Sequence, residues 1–174
     1  MGPGATGEEQ LRVLLAGLGG LLLGTLTVDA PVLATTVLAV LSLDVVAGLV
    51  ANLNPSGKAW WHRPGRGPGA HAGFVALHVV HLALFASFFR GGDVRWLLTA
   101  ATLLALGTAA VLAVPPPWRR GTGLGALLVA LLLLQQTAGT VREAAWFLPL
   151  LYAKLLVAYL PPPLPGASEP GPDR

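Results

Sequence analysis

The chain has 174 residues, of which 54% are hydrophobic and 11% are charged. A soluble globular domain carries about 25% charged residues, so a soluble fold is excluded, and a disordered chain would need low hydrophobicity and high charge. The composition therefore predicts an all-α, polytopic integral membrane protein embedded in the lipid bilayer. Lys and Arg residues are scattered between apolar runs, which argues against a nucleic-acid partner. The chain has no cysteine, which excludes disulfides and thiolate metal sites.

Six transmembrane helices are predicted from the apolar runs and the breaks between them. A crossing needs about 20 apolar residues, so the first run, residues 11–53, is long enough for two. It is expected to fold back at Asp29-Ala30-Pro31, because proline suits the first turn of a new helix and disfavours helix in the residue before it. The predicted spans are 11–28, 31–53, 70–89, 94–114, 121–140 and 144–160. Together residues 1–160 form the transmembrane helical domain, and 161–174 are a disordered Pro-rich tail.

The last predicted span is the least regular, because it is short and contains Lys154. The alternative to six crossings is five crossings plus an interfacial or re-entrant helix. Lys and Arg concentrate on the cytoplasmic side of membrane proteins. With six crossings, the side of the N-terminus holds Arg12, Lys58, Arg63, Arg66, Arg119, Arg120 and Arg174, and the other side holds Arg90, Arg95 and Arg142. This bias predicts a multi-pass protein of the cell membrane with both termini in the cytoplasm.

Small residues at helical spacing indicate where helices approach each other closely. Span one carries Ala16, Gly20 and Gly24, and span five begins with Gly121 and Gly125. We expect these residues to pack spans together within the bundle. The alternative for the first stripe is a homo-oligomer that forms through span one.

Polar residues inside the predicted spans are the only indication of chemistry. An ionisable group at bilayer depth costs several kcal/mol and usually faces the bundle interior with a partner. The candidates are Asp44 and Asn52 in span two, His71, His78 and His81 in span three, Gln135 and Gln136 in span five, and Lys154 in span six.

Depth and helical phase place several of these groups together. Spans two and three are antiparallel neighbours, and counting about 1.5 Å per residue from their inner ends brings Asp44, His78 and His81 to one level near mid-membrane. The three histidines share one side of span three at about 100° per residue. We therefore predict that Asp44 contacts His78 or His81. By the same geometry Asn52 is expected to meet His71 near the inner loop.

Three functions are compatible with this polar seam. The first is proton- or ion-linked transport of a small solute, with Asp44, His71, His78, His81, Asn52 and Lys154 as relay candidates and Gln135 and Gln136 as a secondary set. The second is a redox or cofactor-binding protein that holds haem through His78 or His81, or a non-haem metal through His78, His81 and Asp44. The third is a structural membrane subunit in which the polar groups only join helices.

The sequence identifies no cofactor, and the absence of HExxH, GxSxG and phosphate-loop motifs argues against an enzyme.

Overall fold

In the computed structural model, which describes residues 2–135 and 144–163, every regular element is a helix. The helices are α1 (Gly7–Leu26), α2 (Val32–Leu53), α3 (Pro55–Trp61), α4 (Pro68–Leu77), α5 (Val79–Phe89), α6 (Val94–Ala113), α7 (Arg119–Gln135) and α8 (Phe147–Tyr152). A short 3₁₀ turn, Pro116–Trp118, precedes α7, and a π-helix, Ala153–Tyr159, continues directly from α8. We call this last element the π segment, and Phe147–Tyr159 as a whole the core helix.

Among the described residues, four helices are long and apolar enough to cross a membrane. They are Gly7–Leu26, Val32–Leu53, Pro68–Phe89 and Val94–Ala113, and they agree with the first four predicted spans to within a few residues. Their outer faces carry large apolar side chains; on α1, Leu14 and Leu22 are 60% and 55% exposed. Such a surface suits hydrocarbon and not water, so the helical architecture and the apolar exterior fit a membrane location.

The two remaining predicted spans differ from the expectation. Helix α7 begins at Arg119, and span five beyond Gln135 lies outside the described residues. The core helix has 13 residues, about 20 Å at 1.5 Å per residue, which is shorter than the hydrocarbon layer. Phe147, Leu151 and Leu155 are fully buried, so this helix lies in the centre of the bundle. An interfacial helix would keep one face in water, so the packing does not resemble that form of the alternative, while the re-entrant form stays a prediction.

The first glycine stripe packs α1 against α2. A Cβ atom on Gly20 would lie 2.5 Å from the Ser42 carbonyl oxygen, and one on Gly24 would lie 2.6 Å from the Ala39 Cα atom. Ala16 at the other end of the stripe is partly buried. The expected packing within the bundle is therefore confirmed for this stripe. A homo-oligomer through span one stays a prediction, and it would have to use the leucine-bearing outer face of α1.

The second glycine pair has no close neighbour among the described residues. Gly121 and Gly125 have open space where a Cβ atom would be, whereas a Cβ atom on Gly123 would lie 2.2 Å from the Leu156 carbonyl oxygen. The reason is that the core helix packs beside α7 and meets the face that carries Gly123. Spacing alone identifies small residues but not the direction from which a neighbour approaches.

The segment between predicted spans two and three contains a further helix. Helix α3 begins with Pro55 at its first turn, where proline is favoured. Lys58 in this helix is buried, and its ammonium group donates to the main-chain carbonyls of Ala158 and Pro161 at the end of the core helix. A cation is favoured at a helix C-terminus, where the last carbonyl groups lack partners inside the helix.

Candidate functional site

Three basic side chains converge on the carboxylate of Asp44, in the middle of α2. The His81 Nε2–H group donates to Asp44 Oδ2 at 2.8 Å, and the Lys154 ammonium group donates to the same oxygen at 2.5 Å. The Nε2 atom of His78 lies 4.0 Å from this oxygen. The contact that the sequence predicts between Asp44 and a histidine of span three is thus confirmed. We call Asp44, His78, His81 and Lys154 the Asp44 cluster.

Lys154 reaches Asp44 from the interior of the bundle. Its side chain is 2% exposed, and Nζ also donates to the main-chain carbonyl of Asp44 at 3.2 Å. Gly48, one turn after Asp44, makes room for it: a Cβ atom at position 48 would lie 2.5 Å from Lys154 Cε. Lys154 also lies in the π segment, and π-helical turns are rare and often occur at functional sites.

His78 interrupts the third crossing and is held in one orientation. It separates α4 from α5, and its main-chain N–H donates to the Val75 carbonyl three residues earlier, at 3.0 Å. The ring Nδ1–H group donates instead to the Phe74 carbonyl, at 2.9 Å. Nδ1 therefore carries the proton of the neutral ring, and Nε2 keeps its lone pair on the side of Asp44.

His81 stacks on His78 with ring centroids 4.9 Å apart. Its Nε2–H group donates to Asp44, while its Nδ1 atom is buried and has no hydrogen-bond partner among the described residues. The stacking follows from their spacing, because residues three apart on a helical segment lie on one face. Both imidazoles are consequently directed to one carboxylate.

The Asp44 cluster is closed on one side and open on the other. The Asp44 side chain is 48% exposed, whereas those of His78 and Lys154 are almost completely buried. The second carboxylate oxygen, Oδ1, accepts no hydrogen bond from the described residues. The described residues thus cover Asp44 on the side of Lys154 and leave its other side uncovered.

A second polar group surrounds the end of the core helix and consists of Lys58, His62, His71 and Tyr159; we call it the loop cluster. His71 Nδ1 and the Tyr159 hydroxyl are hydrogen-bonded at 3.1 Å, and the His62 Nε2–H group donates to the Tyr159 carbonyl at 3.0 Å. His62 also stacks on His71, with ring centroids 4.8 Å apart.

Two members of the loop cluster lie outside the membrane-spanning helices and have altered acidity. Burial lowers the pKa of Lys58 to about 7, and the charge of Arg120 acts in the same direction. Burial also lowers the pKa of His62 to about 4, assisted by the charges of nearby His71, Lys58 and Arg119 and opposed by the hydrogen bond to Tyr159. His62 is therefore neutral at pH 7, and Lys58 is close to its titration point.

The predicted contact between Asn52 and His71 is wrong. His71 pairs with Tyr159, and the Asn52 side-chain nitrogen is buried without a hydrogen-bond partner among the described residues. The core helix supplies Tyr159 to this region, and a count of residues along spans two and three could not include that third helix.

The polar seam is also less continuous than the sequence suggested. The ring of Phe74 lies between the two clusters, with its centroid 4.8 Å from that of His78 and 4.2 Å from that of Tyr159. Within residues 2–135 and 144–163, no hydrogen bond joins the Asp44 cluster to the loop cluster. The described arrangement is thus two polar sites separated by one aromatic ring.

The secondary candidates do not join either cluster. Gln135 is exposed and lines a small cavity of about 140 Å³ together with Arg90 and Trp96, and no residue of the Asp44 cluster lines it. Gln136 lies outside the described residues. A role for these two glutamines stays a prediction.

A single metal ion fits the Asp44 cluster better than a haem held by two histidines. One ligand atom each from Asp44, His78 and His81 lies within 4.8 Å of the others, which is a compact donor set for one metal ion. A haem held by two histidines needs them on separate helices, and here they stack on one segment. The larger cavity, about 500 Å³ between α4, α5 and α6, is lined by small apolar residues such as Ala72, Ala76 and Ala105 and by no histidine of the described chain.

No protein-family model matches this chain, and neither a curated protein nor a solved structure matches it. Its class follows from the architecture alone. Over residues 2–135 and 144–163 the protein is all-helical and has four helices that suit a membrane, and an Asp–Lys–His cluster lies among them.

Proposed function

We propose that the protein carries out proton- or ion-linked transport of a small solute, with Asp44 as the group that exchanges one cation for another. The observation that supports this most directly is the shared use of Asp44 Oδ2 by Lys154 and His81, with His78 beside them. An intramembrane carboxylate is costly unless a cation or a proton accompanies it, and such groups mark ion pathways. Here the accompanying cation belongs to the protein and can be replaced.

The exchange follows from competition for one carboxylate. A proton or inorganic cation that reaches Asp44 competes with the buried Lys154 for its charge. If Asp44 is neutralised in this way, the Lys154 ammonium is left buried without a counter-charge, which is unfavourable. Lys154 must then move away or release its proton, so occupancy of the outer side of Asp44 changes the state of the bundle interior.

Histidines are suited to pass the exchanged proton on, because imidazole gains and loses a proton near neutrality. His81 is hydrogen-bonded to Asp44, and His78 lies next to it. The loop cluster, with His71, would be the next site towards the cytoplasm. A displacement of Phe74 would be needed to connect the two, so this ring acts as the barrier between them in our proposal.

The test is proton movement into proteoliposomes that contain a trapped pH-sensitive dye, with an imposed pH gradient and potential. Asp44→Asn/Lys154→Met removes both charges of the buried pair together, so no uncompensated charge is left. We expect this double variant to move protons no faster than empty liposomes. Asp29→Asn is the matched control, because Asp29 is an exposed carboxylate between α1 and α2, and it should keep wild-type flux.

Two outcomes would contradict the proposal. The first is wild-type protein that moves neither protons nor Na⁺ across the vesicle membrane. The second is a double variant that retains wild-type flux although Asp44 and Lys154 are neutral. Either result would favour the structural-subunit alternative, in which the Asp44 cluster only fixes the helices relative to each other.

We also propose that α7 and the core helix complete six crossings of the cell membrane, with both termini in the cytoplasm. The bias of Lys and Arg between the loops supports this orientation. The chain has no cysteine, so single-cysteine variants report topology directly. With a membrane-impermeant maleimide, Ala5→Cys and Ser168→Cys should be labelled from the same side and Asp29→Cys from the other. Labelling of positions 5 and 168 from opposite sides would establish an odd number of crossings.

A further inference from the structure

We infer that the Asp44 cluster binds a divalent transition-metal ion of the Zn²⁺ and Co²⁺ type through His78, His81 and Asp44, in competition with the Lys154 ammonium group. This inference rests on the proposed function, because it names the class of ion that replaces Lys154 at the exchange site. Two imidazoles and one carboxylate form a donor set that selects such ions, whereas Mg²⁺ and Ca²⁺ prefer oxygen ligands.

The distances within the cluster are close to those of one coordination sphere. Metal–nitrogen and metal–oxygen bonds in zinc sites are about 2.0–2.2 Å long, so two donors on the same ion lie at most about 4.3 Å apart. The distances from Asp44 Oδ2 to the Nε2 atoms of His81 and His78 are 2.8 Å and 4.0 Å. Both are within that limit, and the three ligand atoms together lie within 4.8 Å of one another, so the side chains have to move closer together to surround one ion.

The orientation of His78 is that of a metal ligand. Ligating histidines almost always donate their other ring N–H to a carboxylate, a main-chain carbonyl or water, which fixes the ring and its tautomer. His78 does this through Nδ1–H to the Phe74 carbonyl, at 2.9 Å. The break between α4 and α5 makes that bond available, because the main-chain N–H of His78 bonds to Val75 instead. This bond is independent of the closeness of Asp44 and points to the same conclusion.

Lys154 occupies the position of a cation in this donor set. Its ammonium group lies 2.5 Å from Asp44 Oδ2, and Gly48 leaves the space through which its side chain reaches that oxygen. A dication and an ammonium group cannot both be held at this distance without strong repulsion. Metal binding therefore requires Lys154 to withdraw or lose its proton, and a lysine-free cluster should bind the metal more tightly.

The site has the open character of an exchange site. Three protein ligands leave at least one coordination position for water or solute, as in catalytic zinc sites and unlike closed structural sites with four protein ligands. The open side coincides with the half-exposed face of Asp44, whose Oδ1 atom accepts no hydrogen bond from the described residues.

The experiment is a Co²⁺ titration of the purified, tag-free protein in detergent, followed by the visible absorption of the coordinated ion and by its displacement with Zn²⁺. We expect Lys154→Met to bind Co²⁺ at least about tenfold more tightly than the wild type, because the competing charge is removed. His81→Gln in the Lys154→Met background should abolish the absorption. His71→Gln in the same background is the matched control, since His71 belongs to the loop cluster, and it should leave the absorption unchanged.

The inference is overturned if neither wild-type protein nor Lys154→Met gives Zn²⁺-displaceable Co²⁺ absorption, or if His81→Gln leaves that absorption intact. If Lys154→Met does not fold, the Co²⁺ absorption of the wild type is compared with that of His81→Gln. Absorption that persists in His81→Gln again overturns the inference. Failure of the inference is distinguishable from failure of the proposed function. Asp44-dependent proton flux without metal binding would support transport and contradict the metal site. Metal binding without flux would support the metal site and contradict transport.

Discussion

Asp44→Asn is expected to destabilise the protein much more than Lys154→Met, although both substitutions break the same ion pair. Lys154 is 2% exposed and Asp44 is 48% exposed. Asp44→Asn therefore leaves a buried ammonium group without a counter-charge, which costs about 3–5 kcal/mol of the free energy of unfolding. Lys154→Met leaves a carboxylate that keeps its hydrogen bond to His81 and has His78 within 4.0 Å, so it should cost only about 1–2 kcal/mol.

The measurement is reversible unfolding in mixed micelles, with helix content as the readout. The double variant Asp44→Asn/Lys154→Met completes the cycle, and we expect it to be more stable than Asp44→Asn alone, since the methionine removes the unpaired charge. Equal losses for the two single variants, or strictly additive losses in the double variant, would show that burial of Lys154 does not determine the energetics of the pair.

The Asp44–His81 contact could be predicted because it depends on quantities that a sequence contains. Two antiparallel helices joined by one loop have known rise per residue, so counting from the loop places Asp44 and His81 at the same depth. The cost of a lone charge in hydrocarbon then supplies the reason for a contact. Depth, helical phase and charge were sufficient here, and no detail of packing was needed.

The role of Lys154 could be predicted only in part. Its charge is opposite to that of Asp44, but the path of its side chain to that carboxylate depends on Gly48 and on the π segment. A π-helix has no sequence signature comparable to a cap or a proline, because it arises from packing of the finished bundle. Gly48 lies one turn after Asp44 in the sequence and was the available indication that a side chain crosses α2 at this point.

The errors share one cause, which is the central position of the core helix. A pairwise model of spans two and three placed Asn52 against His71, but Tyr159 from the core helix takes that partner. Lys58 lies between two predicted spans, yet its side chain is buried because it bonds to carbonyls at the end of the core helix. Apart from Lys154, the core helix carries apolar residues on nearly every side. Its hydrophobic pattern therefore has no periodicity that shows which helices are its neighbours, and only the structure shows these contacts.

Helix α7 offers a test of this packing with two glycines of opposite expected behaviour. Gly123→Ala would place a methyl group 2.2 Å from the Leu156 carbonyl oxygen, a main-chain atom of the π segment that cannot rotate away. Overpacking of this kind costs up to about 3 kcal/mol, and the higher helix propensity of alanine recovers about 1 kcal/mol. The expected net loss is about 2 kcal/mol in the free energy of unfolding.

Gly125→Ala is the matched control, because it lies two residues later in the same helix and has nothing within 4 Å of the new methyl group. It receives the propensity gain without the clash and should be neutral or more stable by up to about 1 kcal/mol. The same mixed-micelle unfolding experiment measures both variants. Since Leu156 follows Lys154 by two residues, Gly123→Ala should also displace the π segment and weaken the Lys154–Asp44 pair, so its loss should shrink in the Asp44→Asn/Lys154→Met background. An equal loss in both backgrounds would mean that the contact of α7 with the core helix is energetically separate from the Asp44 cluster.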